Sequence, residues 1–231
     1  MAEERKVILK TTKVSRAFPV AGSDPFYALK EVSIEIPEKT VTILRGRSGS
    51  GKTTLLNIIG ALDKPTSGEV YFDGTEITKQ SEKQREKLRR NQVGFIFQSV
   101  SLIPIMTAYE NVEFALRLAN YKGDRKKRVE EVLSMVGLGA RMHHMPQELS
   151  GGEQQRVAIA RAIAHHPKVI FADEPTAELD TNTSHHVMKI FKDLVSQQDI
   201  TIVMTTHDVG LMHGADRVYE LQDGEVVHHG E

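Results

Sequence analysis

Between Val41 and Thr54 the chain reads "VTILR" and then "GRSGSGKTT". No other stretch restricts the fold as tightly. The apolar, β-branched run predicts a short buried strand. Three glycines and two serines follow within nine residues, then a lysine and two threonines. From Gly46 to Thr53 the spacing is G-x-x-x-x-G-K-[ST]. Such glycines let successive backbone N–H groups turn inward and form an anion nest. The next segment, "KTTLLNIIGAL", predicts a helix whose positive dipole end points at the same charge. Gly46, Ser48, Gly49, Ser50 and Gly51 are thus expected to line a phosphate cradle. Lys52 adds a point charge, and the Thr53 hydroxyl is placed for Mg²⁺ with Thr54 beside it. An ordinary Gly/Ser-rich loop would not need the preceding strand, the Lys-Thr pair and the following helix together.

A second acidic feature complements the cradle. "KVIFADEPT" places Asp173 and Glu174 after an apolar run. In a parallel sheet both carboxylates lie at the carboxyl end of a buried strand, where ligands bind. Successive strand residues point opposite ways, so the two acids are expected to have different tasks. Asp173 is a candidate to hold Mg²⁺, and Glu174 to orient and deprotonate a water. A lone Asp-Glu pair at a strand end usually only meets solvent; an upstream phosphate cradle weighs against that reading.

The rest of the chain predicts an α/β protein. "KVILKTTKV", "KEVSIEIP", "TVTILRG" and "GEVYFDG" read as strands, and "SEKQREKLRRNQ" as a charged helix or loop. From about Gln98 to His165 the pattern is helical, with "KKRVEEVLSMVGL" ending near Gly137. "KVIFADEP" and "DITIVMTTHD" are continuous apolar runs of the parallel-sheet kind, with the helical "TSHHVMKIFKDLVSQQ" between them. "RVYELQDGEVVHHG" predicts a hairpin around Asp223-Gly224. The 231 residues are enough for a sizeable core. Thirty basic against 31 acidic residues give no electrostatic footprint for nucleic acid. The lack of cysteine rules out disulfide and thiol chemistry. "MAEERKVILK" has no apolar signal core, and no apolar run approaches the ~18 residues that span a bilayer.

"LSGGEQQRVAIARA", Leu149 to Ala162, resembles the LSGGQ signature of the ATP-binding cassette (ABC) ATPases. The resemblance covers essentially the whole chain, with the motifs in the family's order. It makes Gln98, in "GFIFQS", similar to the Q-loop glutamine that serves Mg²⁺. It places Asp180, in "AELD", in the D-loop, and His207, in "TTHD", as the switch histidine that holds γ-phosphate and water. Phe18 falls near the aromatic that stacks on adenine, with Tyr27 as the second candidate. Ser150 also reads as a helix N-cap, with Gly151 and Gly152 leaving N–H groups uncovered, a second anion site. "LLNIIGALDKPTSGEVYFDG", "TAYENV" and "ADEPTAELD" resemble the branch of lipoprotein-release, macrolide-export (MacB-type) and cell-division ABC ATPases.

The resemblance implies a single P-loop domain that hydrolyses Mg-ATP. It has a core and a β-rich ATP-stacking subdomain at about 1–97 and 168–231, and a helical subdomain at about 98–167. It also implies an ATP-dependent homodimer, the signature of one protomer closing over ATP held by the other. Separate transmembrane permease subunits would hold it peripherally at the cytoplasmic face of the membrane, a cytoplasmic helix of the permease entering a polar groove beside the Q-loop. Nucleic acid is not an expected partner. A signalling or mechanotransmitting subunit without transport carries the same motifs and stays open. Arg47, Glu153, Ala177 and Glu178 depart from the usual residues without removing a needed group. The histidine pairs 143/144, 165/166, 185/186 and 228/229 read as solvated surface residues, and "KGDRKKRVEE" as a solvated helix start.

Overall fold

Short apolar runs build the centre of the molecule. In the computed structural model, which describes residues 5–230, the chain runs β1 (Val7–Phe18), β2 (Phe26–Val32), β3 (Glu35–Pro37), β4 (Val41–Arg45) and α1 (Lys52–Ile59). It continues through β5 (Ser67–Phe72), β6 (Thr75–Glu76), α2 (Glu82–Gln92), β7 (Val93–Ile96), α3 (Ala108–Leu118) and α4 (Arg125–Met135). Then come α5 (Gly151–Ile163), β8 (Val169–Ala172), α6 (Thr181–Gln198), β9 (Thr201–Thr205), β10 (Arg217–Gln222) and β11 (Glu225–Gly230). The side chains of residues 209, 213 and 228–230 lie outside the description, and with them the histidine pair 228/229.

Six strands form one sheet in the order β11-β10-β4-β9-β8-β7. β10, β4, β9, β8 and β7 pair in parallel, and β11 closes the edge antiparallel to β10. The central parallel strands β4, β9 and β8 are buried on both faces, which is why they read as unbroken apolar runs. Ile43, Ile170 and Ile202 enter a core shared with α3, α4, α5 and α6. Their neighbours Leu44, Phe171 and Val203 point into a second core shared with α1 and the antiparallel strands. That second sheet has the order β2-β1-β5-β6, with β3 also on β1.

Several local expectations change. "KEVSIEIP" is not one strand. β2 pairs with the far half of β1 and β3 with its near half, and the break falls at Ser33 and Ile34, between the end of β2 at Val32 and the start of β3 at Glu35. β7 is a strand that the four-residue run "VGFI" did not announce. Of the helix or loop left open for "SEKQREKLRRNQ", the structure shows the helix, with the Ser81 N–H and hydroxyl at its start both donating to Gln84 Oε1 at 2.9 Å. Residues 98–107 precede the helices without forming one.

The basic run contains a structural residue. Arg128 is 2% exposed and donates from Nε to the Ala164 carbonyl (2.9 Å) and from Nη2 to the Ile163 carbonyl (3.0 Å). It satisfies the last carbonyls of α5, a place that also favours positive charge. His165 is likewise not a solvated histidine. It is half-buried, with Nε2 3.0 Å from the Val93 carbonyl, and burial holds its pKa below the ordinary value.

Candidate nucleotide site

The loop after β4 can close only because its glycines lack Cβ atoms. Gly46 and Gly51 have φ of +148° and +102°, and Cβ atoms there would sit 2.3 Å from the Leu221 carbonyl oxygen and 2.4 Å from that of Ala28. L residues rarely adopt such φ, and backbone cannot move aside. Gly51 opens α1 with no side-chain cap, which leaves the first helical N–H groups to an anion. Lys52 is 6% exposed at the loop's centre, its ammonium donating to the carbonyls of Gly46 (2.8 Å) and Arg47 (3.0 Å). The buried Ser50 hydroxyl has no hydrogen-bond partner among the described residues, as suits a group facing a ligand. A cavity of about 390 Å³ is lined by Gly46 to Ser50 and by Glu220 to Asp223 of the terminal hairpin. The hairpin turn is tied to the loop by Gly224 N–H donating to the Ser50 carbonyl at 3.2 Å. Asp223 and Gly224 both have positive φ, as a tight Asp-Gly hairpin turn requires. The sequence signalled this hairpin but not its role as a cradle wall.

Asp173 and Glu174 leave β8 beside this loop. β4, β9 and β8 are adjacent and parallel, so their carboxyl ends share one edge. The Thr53 hydroxyl donates to Asp173 Oδ1 at 3.1 Å, which joins two of the expected Mg²⁺ residues. The two acids do not diverge by strand alternation, because β8 ends at Ala172 and Glu174 takes φ +44°. The turn, not the pleat, separates them. Glu174 Oε2 lies 3.3 Å from His207 Nδ1. Thr205, the last residue of β9, is a participant that the sequence did not single out. Its fully buried hydroxyl donates to Asp173 Oδ1 at 2.6 Å and accepts from the Glu174 backbone N–H at 2.8 Å. A polar cavity of about 140 Å³ adjoins Glu174 and His207 and reaches Thr181 and Ser184 of α6.

The remaining expected residues stand apart from this cluster. Gln98 is exposed two residues past β7, on the same sheet edge, with no hydrogen bond to Thr53 or Asp173 among the described residues. Phe97, its neighbour in sequence, is 40% exposed, and Ile105 further along the same loop is 80% exposed. Phe18 ends β1 opposite Phe26, and the Arg16 guanidinium lies 4.5 Å over its ring while pairing with Asp63. Tyr27 is exposed on the adjacent strand.

Ser150 caps α5, accepting from Glu153 N–H at 3.3 Å, while Glu153 accepts from Ser150 N–H at 2.9 Å. The glutamate in the signature thus completes a capping box, and these bonds hold its pKa below the usual range. Asp180 caps α6 through Thr183 N–H (3.1 Å) and Oγ1 (2.5 Å). Gly151 faces open space, but a Cβ on Gly152 would lie 2.6 Å from Thr183 Cγ2. Gln155 fastens α5 to the acidic turn by donating to the Pro175 carbonyl at 2.7 Å. No hydrogen bond among the described residues joins Ser150–Gly152 to the cradle of the same chain.

Comparison with known proteins agrees with this geometry. The ABC transporter family profile matches residues 29–177. The uncharacterised ABC transporter ATP-binding protein MJ0796 of Methanocaldococcus jannaschii is 44% identical over 225 residues, covering 95% of each chain. Its solved dimer, in a post-hydrolysis state bound to ADP and Pi, superposes with a TM-score of 0.89 at 42% identity over 96% of this chain and 98% of that one. The lipoprotein-releasing system ATP-binding protein LolD 2 of Rhodopirellula baltica is 44% identical over 85% of this chain and 80% of its own. The macrolide export ATP-binding/permease protein MacB of Bartonella henselae is 41% identical over 98% of this chain, which spans about a third of its length, 34%. The chain therefore belongs to the ABC transporter family, as one of its ATP-binding cassettes.

Proposed function

We propose that this cassette hydrolyses ATP as one half of a head-to-tail homodimer and thereby drives a separate membrane permease. The observation that carries the reading is the connected chain Thr53–Asp173–Thr205–Glu174–His207 at the sheet edge beside the Lys52 cradle. The loop N–H groups and Lys52 bind phosphate, with Gly46, Ser48, Gly49, Ser50, Gly51, Thr53 and Thr54 around it, and Phe18 stacks on the base. Glu174 takes a proton from the attacking water, and His207 orients that water against the terminal phosphate. Thr53, Asp173 and Gln98 offer only hard oxygen donors, a set that fits Mg²⁺. Mg²⁺ bound there would neutralise charge developing on the phosphate oxygens.

The second anion site supports a dimer. Gly151 and Gly152 present helix-start N–H groups, and among the described residues no hydrogen bond joins Ser150–Gly152 to their own cradle, so this helix start is free to close over nucleotide held by a partner, with Asp180 at the start of the next helix. The segment 98–167 acts as one helical subdomain against the core formed by 1–97 and 168–231. Phe97 and Ile105 offer apolar anchorage to a permease, and no described helix is long and apolar enough to cross a membrane by itself. The chain would then sit at the cytoplasmic face through that partner. Purified Lys52→Ala should lose ATP turnover to background while its circular dichroism stays that of the parent. Near-normal turnover in that variant would mean that the phosphate cradle is misassigned.

A further inference from the structure

The hydroxyl of Thr205 is tied on both sides to groups that matter most for hydrolysis. A threonine hydroxyl has one proton to donate. Here it accepts from the Glu174 N–H at 2.8 Å, so its proton is directed to the Asp173 carboxylate at 2.6 Å. Asp173 Oδ1 then receives two hydroxyls, Thr205 and Thr53, while neither bond uses Oδ2. Glu174 meanwhile stands in the left-handed region, φ +44°, where a non-glycine residue needs support from its surroundings. The backbone bond to Thr205 supplies that support. Thr205 itself is fully buried at the end of a central strand, so the hydroxyl has little freedom to leave.

We propose that Thr205 is a positioning residue for hydrolysis: one buried hydroxyl sets the rotamer of the metal-binding Asp173 and locks the turn that presents Glu174. The proposal rests on the ATPase reading above. Thr205 lines neither the cradle nor the cavity beside His207. Its removal should therefore spare nucleotide binding that does not depend on Mg²⁺. Thr205→Val keeps the shape of the side chain and removes the hydroxyl. Thr205→Ser keeps the hydroxyl and removes a methyl group.

The test measures three things on the full chain. These are steady-state ATPase against ATP and against Mg²⁺, affinity for a fluorescent ATP analogue with Mg²⁺ and with EDTA, and thermal unfolding. For Thr205→Val the expected results are a fall in kcat of about tenfold, the size of losing one hydrogen bond to a charged group, and a rise in the Mg²⁺ concentration for half-maximal rate. Analogue affinity in EDTA should stay within twofold of the parent. Thr205→Ser should recover most of both losses. The proposal is overturned if Thr205→Val keeps the parent's kcat and Mg²⁺ dependence. It is also overturned if Thr205→Ser is as impaired as Thr205→Val, since packing would then explain both. Should Thr205→Val fail to fold, Thr205→Ser decides alone: parental kcat and Mg²⁺ dependence support the hydroxyl, and their loss refutes it. If the parent protein itself has no turnover, the ATPase reading fails rather than the positioning role.

Discussion

Gly152→Ala separates two reasons for a glycine at that position. A trans anion site needs uncovered N–H groups, whereas the structure shows a contact within the same chain. The added Cβ would lie 2.6 Å from Thr183 Cγ2, about 1 Å short of an ordinary carbon contact of about 3.5–4.0 Å. Thr183 cannot simply rotate away, because its Oγ1 is bonded to Asp180 at 2.5 Å. Overpacking of this kind costs about 1–3 kcal/mol. Alanine in a helix returns up to about 1 kcal/mol relative to glycine, and less at the second helical position. The net expectation is a loss of roughly 1–2 kcal/mol, from the difference of those two effects. Thr183→Ser removes the clashing methyl and keeps the Asp180 bond. In that background Gly152→Ala should be neutral or slightly stabilising. Urea unfolding of the four proteins without nucleotide gives the coupling directly. An equal effect of Gly152→Ala in both backgrounds, or none in the parent, would refute the packing argument.

Phe18→Ala should weaken binding of a fluorescent ATP analogue by about 1–3 kcal/mol, the range for base–aromatic stacking. Tyr27→Ala should leave it unchanged; a loss confined to the Tyr27 variant would move the stacking role there. His165 has a folded pKa held below 6.5 by burial. The unfolded chain therefore binds the proton first, and the stability due to neutral His165 is present above that pH and lost as pH falls through it. The melting temperature should drop between pH 7.5 and 5.5, and His165→Gln should drop less; equal drops would remove His165 as the cause.

Local signals carried far in this chain. The loop glycines, the cap at Ser150 and the apolar strand "VIFA" each act through neighbours in sequence, so they were legible there. What the sequence hid depends on distant partners. Thr205 reaches Asp173 across 32 residues, and Arg128 reaches the Ala164 carbonyl across 36. Gly152 meets Thr183 only because the starts of α5 and α6 pack together. Strand alternation misled for Asp173 and Glu174, since the strand ends one residue earlier and a left-handed turn takes over. β7 is as short as β8 but Gly94 interrupts its apolar run, so "VGFI" lacks the continuous signal of "VIFA".

The central claim is that ATP joins the cradle of one chain to the signature of another. Glu174→Gln keeps the shape of the base and removes its chemistry, so bound ATP should persist as the bridge. Ser150→Arg fills the second anion site while leaving the cradle intact. It forfeits the cap at Glu153 N–H, a loss of about 1 kcal/mol that the buried face of α5 can absorb. Light scattering with Mg-ATP is the direct measurement. Glu174→Gln should run at dimer mass, and the double variant Glu174→Gln, Ser150→Arg at monomer mass. If the double variant dimerises with ATP as well as Glu174→Gln alone, the signature does not close over the partner's nucleotide, and the account is wrong.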